Sequence, residues 1–170
     1  MPKIIENLRN QLIEEARRQI NMFGYEKTTI RSVAAECGIA TGTVYNYFKS
    51  KDILVASLVV DDWKVVLNKI NDIDPSDKRN LLKTIYDSLI SFSESHSMIF
   101  KDRSAEEKYY SSSHKWHDLL RNQLSAIIEK ICMEKDNHEF LSQFTAESIL
   151  TWSMAGVPFD RIYEIFIKII

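Results

Sequence analysis

The chain has 170 residues, 45% of them hydrophobic and 27% charged, which is the composition of an ordinary globular protein with a core. Only four Gly and three Pro occur, which excludes a protein built from many tight β-hairpins and favours long helices. The net charge of -2 excludes a uniformly basic protein, yet residues 1–51 hold eight Lys and Arg against five Glu, and residues 52–170 hold fourteen against nineteen Asp and Glu. A basic head on an acidic body is typical of a protein that contacts phosphate at one end only.

The first predicted element is a helix over about residues 3–23. Its apolar residues recur every three or four positions, which places them on one face: Ile5, Leu8, Leu12, Ala16 and Ile20. Gly24 is expected to end this helix. The pattern predicts a brace that packs across the next two helices.

Two short helical patterns follow, on either side of Gly38. In the first, Ile30, Val33, Ala34 and Cys37 share one face, and Thr29 is the expected N-cap. A positive φ at Gly38 then allows the chain to turn into a second short helix, which begins at residue 40 or 41. Val44 and Phe48 are four apart and are expected to point inward.

The outward side chains of this stretch are short, hydrogen-bonding or basic. Small residues at the start of a helix let it approach base edges in a major groove, while hydroxyls and lysines bind phosphates. We therefore predict a helix-turn-helix whose DNA contacts are Thr29, Arg31, Thr41, Gly42, Thr43, Tyr45, Asn46, Tyr47 and Lys51. Arg17 and Arg18 either lie near the DNA backbone or are solvated surface arginines. An amphipathic hairpin without a nucleic-acid role leaves this gathering of side chains unexplained.

The order and spacing of these motifs are specific. They comprise Thr28-Thr29-Ile30-Arg31, Val33-Ala34, Gly38-Ile39, Gly42-Thr43-Val44-Tyr45, Tyr47-Phe48 and Lys51. With them, the segment from Glu14 to Leu58 resembles the N-terminal domain of the TetR family of bacterial transcriptional regulators. Two positions depart from the family pattern. Ala40 replaces a frequent Ser, so the cap is expected to shift to Thr41, and Ser32 replaces a common acidic capping residue.

A fourth helix is expected from Ser50, its cap, to about Ile70. It would be shared by a DNA-binding domain over residues 1–51 and a helical domain for effector binding and dimerisation over residues 52–170. Beyond it, the periodicity predicts a helix through Leu82 and Phe92, and an end or kink within residues 91–97. A longer helix follows from about residue 105, which the serines at 111–113 either divide or leave intact.

Two final helices are expected, one ending at Gly156 and the other starting at Pro158. Because the last helix is apolar on more than one face, it needs a second neighbour, and another copy of the chain is the expected one. The predicted dimer contacts are Trp152, Ile162, Ile165, Phe166 and Ile169. The resemblance implies an all-α homodimer, a ligand-responsive repressor that binds a palindromic double-stranded DNA operator.

Aromatic residues are frequent in the second domain, which favours a small apolar or aromatic effector, although most aromatic residues belong to the core. The predicted ligand contacts are Trp63, Tyr86, Leu89, Phe100, Trp116 and Leu120. A ligand there is expected to change the tilt of the fourth helix and thereby the spacing of two DNA-binding heads.

Neither catalysis nor a cofactor is predicted. His114 and His117, three apart and next to Asp118, are the one candidate metal pair, and they lack an identifiable third ligand. No phosphate-binding loop, nucleophile elbow or zinc-protease motif occurs, and both cysteines lie in apolar helical patterns. With no signal pattern and no apolar run near the ~20 residues that span a bilayer, we expect a cytoplasmic protein without membrane contact.

Overall fold

The computed structural model describes residues 7–100 and 117–170 with their side chains, and the backbone course of residues 103–116. Helices account for the regular structure in these ranges, and no strand occurs there. The helices are α1 Leu8–Phe23, α2 Ile30–Glu36, α3 Thr41–Tyr45, α4 Lys51–Asn71, α5 Lys78–Ser95, α6 Ser97–Phe100, α7 Arg103–Cys132, α8 His138–Met154 and α9 Phe159–Phe166. The predicted all-α class is confirmed.

Most predicted helix ends agree with the structure. Gly24 ends α1 with a φ of 84°, and Gly38 follows α2 with a φ of 67°. Ser50 caps α4, because its Oγ accepts the Ile53 N–H at 3.2 Å. The predicted start of α1 at residue 3 lies outside the described residues.

The backbone shows which residue caps α3 and whether α7 is continuous. The N-cap of α3 is Ala40, which makes no side-chain capping hydrogen bond, so the expected shift of the cap to Thr41 is wrong. The serines at 111–113 do not divide α7, which runs unbroken over 30 residues. Serine weakens a helix by only a fraction of a kcal/mol per residue, too little to break so long an element.

The chain forms two compact units. We call the first the head; it comprises the described residues of 1–64 and 96–108. The second, the body, comprises the described residues of 65–95 and 109–170. The predicted domain boundary at residue 51 concerns function and stays a prediction; by packing alone, α4 residues up to Lys64 and the segment from His96 cluster with the head.

Each unit has its own apolar core. In the head, the side chains with the least exposure include Leu12, Ala16, Val33, Val44 and Val55. In the body they include Leu82, Ile85, Leu124, Ile128, Ile149 and Phe166. Burying a large aliphatic or aromatic side chain contributes about 1.5–3 kcal/mol. Among the described residues, no helix combines the length and the apolarity needed to cross a membrane.

Candidate nucleic-acid interface

The start of α2 is fixed by a reciprocal capping box. The Thr29 Oγ1 accepts the Ser32 N–H at 3.0 Å, and the Ser32 Oγ accepts the Thr29 N–H at 3.0 Å. Thr29 is therefore the N-cap, as predicted, and Ser32 completes the box in place of an acidic residue. The Ser32 hydroxyl also lies 2.6 Å from the Oε1 of Gln19, an α1 side chain only 3% exposed. Sequence reasoning missed Gln19, because nothing local distinguishes it from other polar residues of α1.

The turn after α2 brings α3 against the head core. The Ile39 N–H donates to the Ala34 carbonyl at 3.0 Å, which reverses the chain at Gly38. Val44 and Phe48 are both buried, as predicted. Because these two side chains face inward, the opposite side of α3 faces outward.

The outward side of α3 carries the predicted base contacts. Gly42, Tyr45 and Asn46 are exposed, and Thr41, Thr43 and Tyr47 are partly exposed. Gly42 adds no side chain, and no heavy atom lies within 4 Å of where its Cβ would be. The face therefore offers short and hydrogen-bonding groups to a surface that approaches α3.

The arginines of α1 are neutralised within the head. Arg9 pairs with Asp61 at 2.7 Å, Arg17 with Asp62 at 2.5 Å, and Arg18 with Glu15 at 2.7 Å. The hydrogen bond from Arg18 holds the pKa of Glu15 below its ordinary value despite partial burial. Arg17 thus binds α1 to α4 through Asp62, whereas Arg18 remains a surface arginine that pairs with Glu15 of its own helix.

Other cations remain available near α2 and α3. Lys27 and Arg31 are exposed and form no ion pair within the described part of the chain. Lys49 is also exposed, with its Nζ 3.4 Å from the Tyr45 carbonyl oxygen. Lys27 and Lys49 were absent from the predicted contacts. Their positions in the sequence could have identified them as phosphate contacts, since both flank the two short helices in the basic first third of the chain.

Lys51 has a partner inside the head. Its Nζ donates to the Tyr25 carbonyl oxygen at 2.8 Å and lies 3.9 Å from the centre of the Tyr25 ring. The Tyr25 hydroxyl donates to the carboxylate of Asp52, so the start of α4 holds the loop after α1 from two sides. Lys51 was predicted as a phosphate contact, and this geometry gives it a structural role as well.

The predicted ligand residues are distributed over both units. Trp63 is buried in the head, where Phe100 is exposed, and Tyr86, Leu89 and Leu120 are buried in the body. The Tyr86 hydroxyl donates to the Val157 carbonyl at 2.8 Å, which gives Tyr86 a structural role in the body. The side chain of Trp116 lies outside the described residues. The ligand site stays a prediction.

The predicted dimer contacts differ in exposure within a single chain, and the interface stays a prediction. Ile162 and Phe166 are 1% and 0% exposed in a single chain, and the Phe166 ring lies 6.1 Å from that of Trp152. Neither residue offers surface to a partner, because both belong to the body core. Ile165 is 46% exposed, and Trp152 and Ile169 are partly buried.

The histidine and cysteine pattern does not form a site within the described ranges. The Nε2 of His117 lies 3.7 Å from the Oε1 of Glu147, and the side chain of His114 is outside the described residues. No group of three or more His, Cys, Asp or Glu residues is placed to hold a metal in the part of the chain described. Burial raises the pKa of both Cys37 and Cys132, which disfavours the reactive thiolate.

Comparisons with known proteins agree with the head's geometry. Residues 12–58 match the model for bacterial regulatory proteins of the tetR family. Over 51 residues the chain is 41% identical to the HTH-type transcriptional regulator HbdR of Aromatoleum sp. (strain CIB), covering 30% of this chain and 22% of HbdR. Over 66 residues it is 33% identical to the HTH-type transcriptional repressor Rv1474c of Mycobacterium tuberculosis, covering 36% and 35%. The chain thus spans about a third or less of these relatives.

Solved structures extend the similarity of fold to the whole chain. A transcriptional regulator of the TetR/AcrR family from Thermobifida fusca superposes with a TM-score of 0.60 at 14% identity, over 95% of this chain and 97% of that one. The fatty acid degradation regulator FadR from Bacillus halodurans gives 0.54 at 19% identity, over 98% and 94%. The relatives and structures named here are regulators rather than enzymes. The family match thus covers the helix-turn-helix of the head, and the fold around it is shared with solved regulators of the TetR/AcrR family.

Proposed function

We propose that the chain is a transcriptional regulator that binds double-stranded operator DNA through α2 and α3. The observation that carries the proposal is the exposed polar face of α3 beside the exposed cations Lys27 and Arg31. Thr41, Tyr45 and Asn46 read base edges in this proposal. Thr29 and the cations bind phosphates, which provide affinity for any sequence.

The dimensions of α3 fit this role. A helix of five residues is about 7.5 Å long, little more than one turn, which is short enough to lie within a major groove about 12 Å wide. Three or four side chains are then within reach of the bases, as in other helix-turn-helix proteins. Val44 and Phe48 hold the helix from behind, so its outward face is already in place before DNA arrives.

We propose that the protein acts as a homodimer on a palindromic operator, and that the outward face of α8 forms the dimer contact. Phe140 and Phe144 are 66% and 41% exposed, and Met154 lies exposed on the same side of the helix. The opposite side buries Thr145 and Ser142. The buried side of α8 also holds Ile149 and Leu150, so the helix is apolar on two sides, and its outward rings call for an apolar neighbour. A two-fold copy of the same face is self-complementary and also presents two heads to two half-sites.

The regulatory sign and the effector are part of the same proposal. The relative Rv1474c is named as a repressor, which favours repression here. We propose release by a small apolar or aromatic molecule bound in the body, since the body core is rich in aliphatic and aromatic side chains.

Selection of bound fragments from a random DNA library, followed by affinity measurement on the selected duplex, tests DNA binding. Asn46→Ala is expected to cost about 1–3 kcal/mol of binding and to relax preference at particular base pairs. Arg31→Ala should weaken binding to every sequence and reduce the slope of log K against log salt by about one.

Lys135→Ala, an exposed cation of the body, is the control and should change neither quantity. Failure of the protein to bind any duplex at low salt would refute the proposed function. Retention of affinity and sequence preference in both Asn46→Ala and Thr41→Ala would show that α3 does not read the bases.

A further inference from the structure

The chain returns from the body to the head at His96. Ser95, the last residue of α5, belongs to the body, and His96 belongs to the head. The His96 side chain is 4% exposed, and its Nε2 lies 2.8 Å from the Oδ2 of Asp62 on α4. Its carbonyl oxygen accepts the N–H groups of Ile99 and Phe100, at 2.9 and 3.0 Å, and so starts the short helix α6. This residue is therefore fixed at both its backbone and its ring.

The carboxylate that His96 meets is already held by Arg17 of α1. The Arg17 guanidinium binds Asp62 through two parallel contacts, from NH1 to Oδ2 at 2.5 Å and from NH2 to Oδ1 at 2.7 Å. Burial raises the pKa of Asp62, but the hydrogen bonds from Arg17 and then His96 outweigh it and hold that pKa below the ordinary value. Because the ionised carboxylate carries no proton, the His96 ring nitrogen is the donor.

These contacts connect three elements of the head at one carboxylate. Arg17 comes from α1, Asp62 from α4 and His96 from the start of α6. A two-contact arginine–carboxylate pair fixes direction as well as distance, so the position of the carboxylate determines how α1 lies on α4. In turn, α1 holds the start of α2 through the contact between Gln19 and Ser32.

We propose that His96 is a positioning residue for DNA binding: its bond to Asp62 holds the Arg17–Asp62 pair in the arrangement in which the head binds DNA. This inference rests on the proposed function. His96 touches no DNA in this role.

The alternative is a purely structural role, in which Asp62 only provides a hydrogen-bond partner for the buried His96 ring. Under that alternative, loss of the bond lowers stability, and the protein that remains folded binds DNA as before. Under the proposal, DNA affinity falls even well below the unfolding temperature, where essentially all of the protein is folded. The two readings therefore differ in an affinity measured on folded protein.

The experiment compares three variants of His96 on the full chain, with a duplex of random sequence at low salt and a duplex recovered by selection. His96→Phe keeps a ring and removes the donor, His96→Asn has an amide too short to reach Asp62, and His96→Gln keeps a donor at similar reach. His138→Phe is the matched control, because the His138 Nδ1 lies 2.9 Å from the Glu129 carboxylate within the body.

We expect His96→Phe and His96→Asn to lose about tenfold in affinity for the selected duplex, as for loss of a hydrogen bond to a charged group. His96→Gln should stay within about twofold of the wild type, and so should His138→Phe. Use of two variants that lose the bond to Asp62 keeps the test decisive if one of them fails to fold.

Wild-type affinity in a folded His96→Phe or His96→Asn variant overturns the inference alone, even if that variant melts at a lower temperature. An equal loss in His138→Phe or in His96→Gln overturns it too, because the effect then has no connection with the bond to Asp62. Failure of the wild-type protein to bind either duplex instead refutes the proposed function, and the inference falls with it.

Discussion

The head and the body differ in how some of their buried polar groups are satisfied. In the head, the buried Gln19 and Thr28 have hydrogen-bond partners, at 2.6–2.7 Å and 3.0 Å. In the body, Ser88 and Thr145 are buried with hydroxyls that meet no partner among the described residues. The body also exposes the large rings of Phe140 and Phe144. The head thus satisfies these two buried groups, whereas the body leaves two buried hydroxyls without a partner among its described residues and exposes two rings on α8.

This difference has an energetic side. A buried hydroxyl without a partner costs about 1–3 kcal/mol, and an exposed phenyl ring forgoes the stabilisation that its burial provides. The free-energy cost of such hydroxyls and rings can be offset when a binding partner contacts them. In the head, internal hydrogen bonds fix Gln19 and Thr28. The body instead has exposed rings and buried hydroxyls that a second copy of the chain or an effector can contact.

The largest expected effect separates core from surface within α9. Phe166→Ala should lower the free energy of unfolding by about 3–5 kcal/mol, because it removes a fully buried ring that packs beside Trp152. Ile165→Ala, next to it on the exposed side, should cost well under 1 kcal/mol. Urea denaturation of both variants measures the difference. Similar losses of unfolding free energy in the two variants would mean that Ile165 is also buried, in its case against a partner.

The next effect tests the outward face of α8. Replacing Phe140 and Phe144 together with Lys should convert dimers to monomers, since two pairs of like charges would meet at the interface. Sedimentation at micromolar concentration measures the mass, and affinity for a two-site operator should fall as the second head is lost. Met22→Lys, an exposed apolar position in the head, is the control. A folded dimer of unchanged stability from the double variant would place the interface elsewhere.

The sequence predicted correctly those parts of the structure that depend on neighbouring residues in the chain. Periodicity and the glycines at 24 and 38 predicted α1, α2 and the turn into α3, because a helix face and a positive φ depend on neighbours in the chain. The outward residues of α3 followed from the same periodicity, since Val44 and Phe48 had to face inward.

Contacts between distant positions were beyond the sequence. Asp62 lies 45 residues from Arg17 and 34 from His96, so no local pattern connects them. The burial of Ile162 and Phe166 within a single chain has a related explanation. Periodicity shows that the two residues share a face of α9, and it does not show whether that face meets its own chain or a partner.

A smaller effect distinguishes the two roles of Lys51. Lys51→Ala should lower the free energy of unfolding by about 1 kcal/mol, because the contact with the Tyr25 ring and carbonyl is lost. Its effect on the salt slope of DNA binding should be smaller than that of Arg31→Ala. Lys49→Ala is the matched control and should leave stability nearly unchanged. Unaltered stability together with a slope change near one would instead make Lys51 chiefly a phosphate contact.

The smallest effect concerns the uncapped start of α3. Ala40 already has the extended backbone of an N-cap, with φ -69° and ψ 140°, but it has no side-chain acceptor for the first N–H groups of the helix. Ala40→Ser adds that acceptor without a change of conformation and should stabilise the protein by about 0.5–1 kcal/mol. Ala35→Ser, at an exposed position inside α2, is the control and should destabilise slightly, since Ser is a poorer helix former than Ala. Thermal melting of the two variants gives the comparison directly. A melting temperature of Ala40→Ser no higher than that of Ala35→Ser would mean that the start of α3 is already satisfied by solvent.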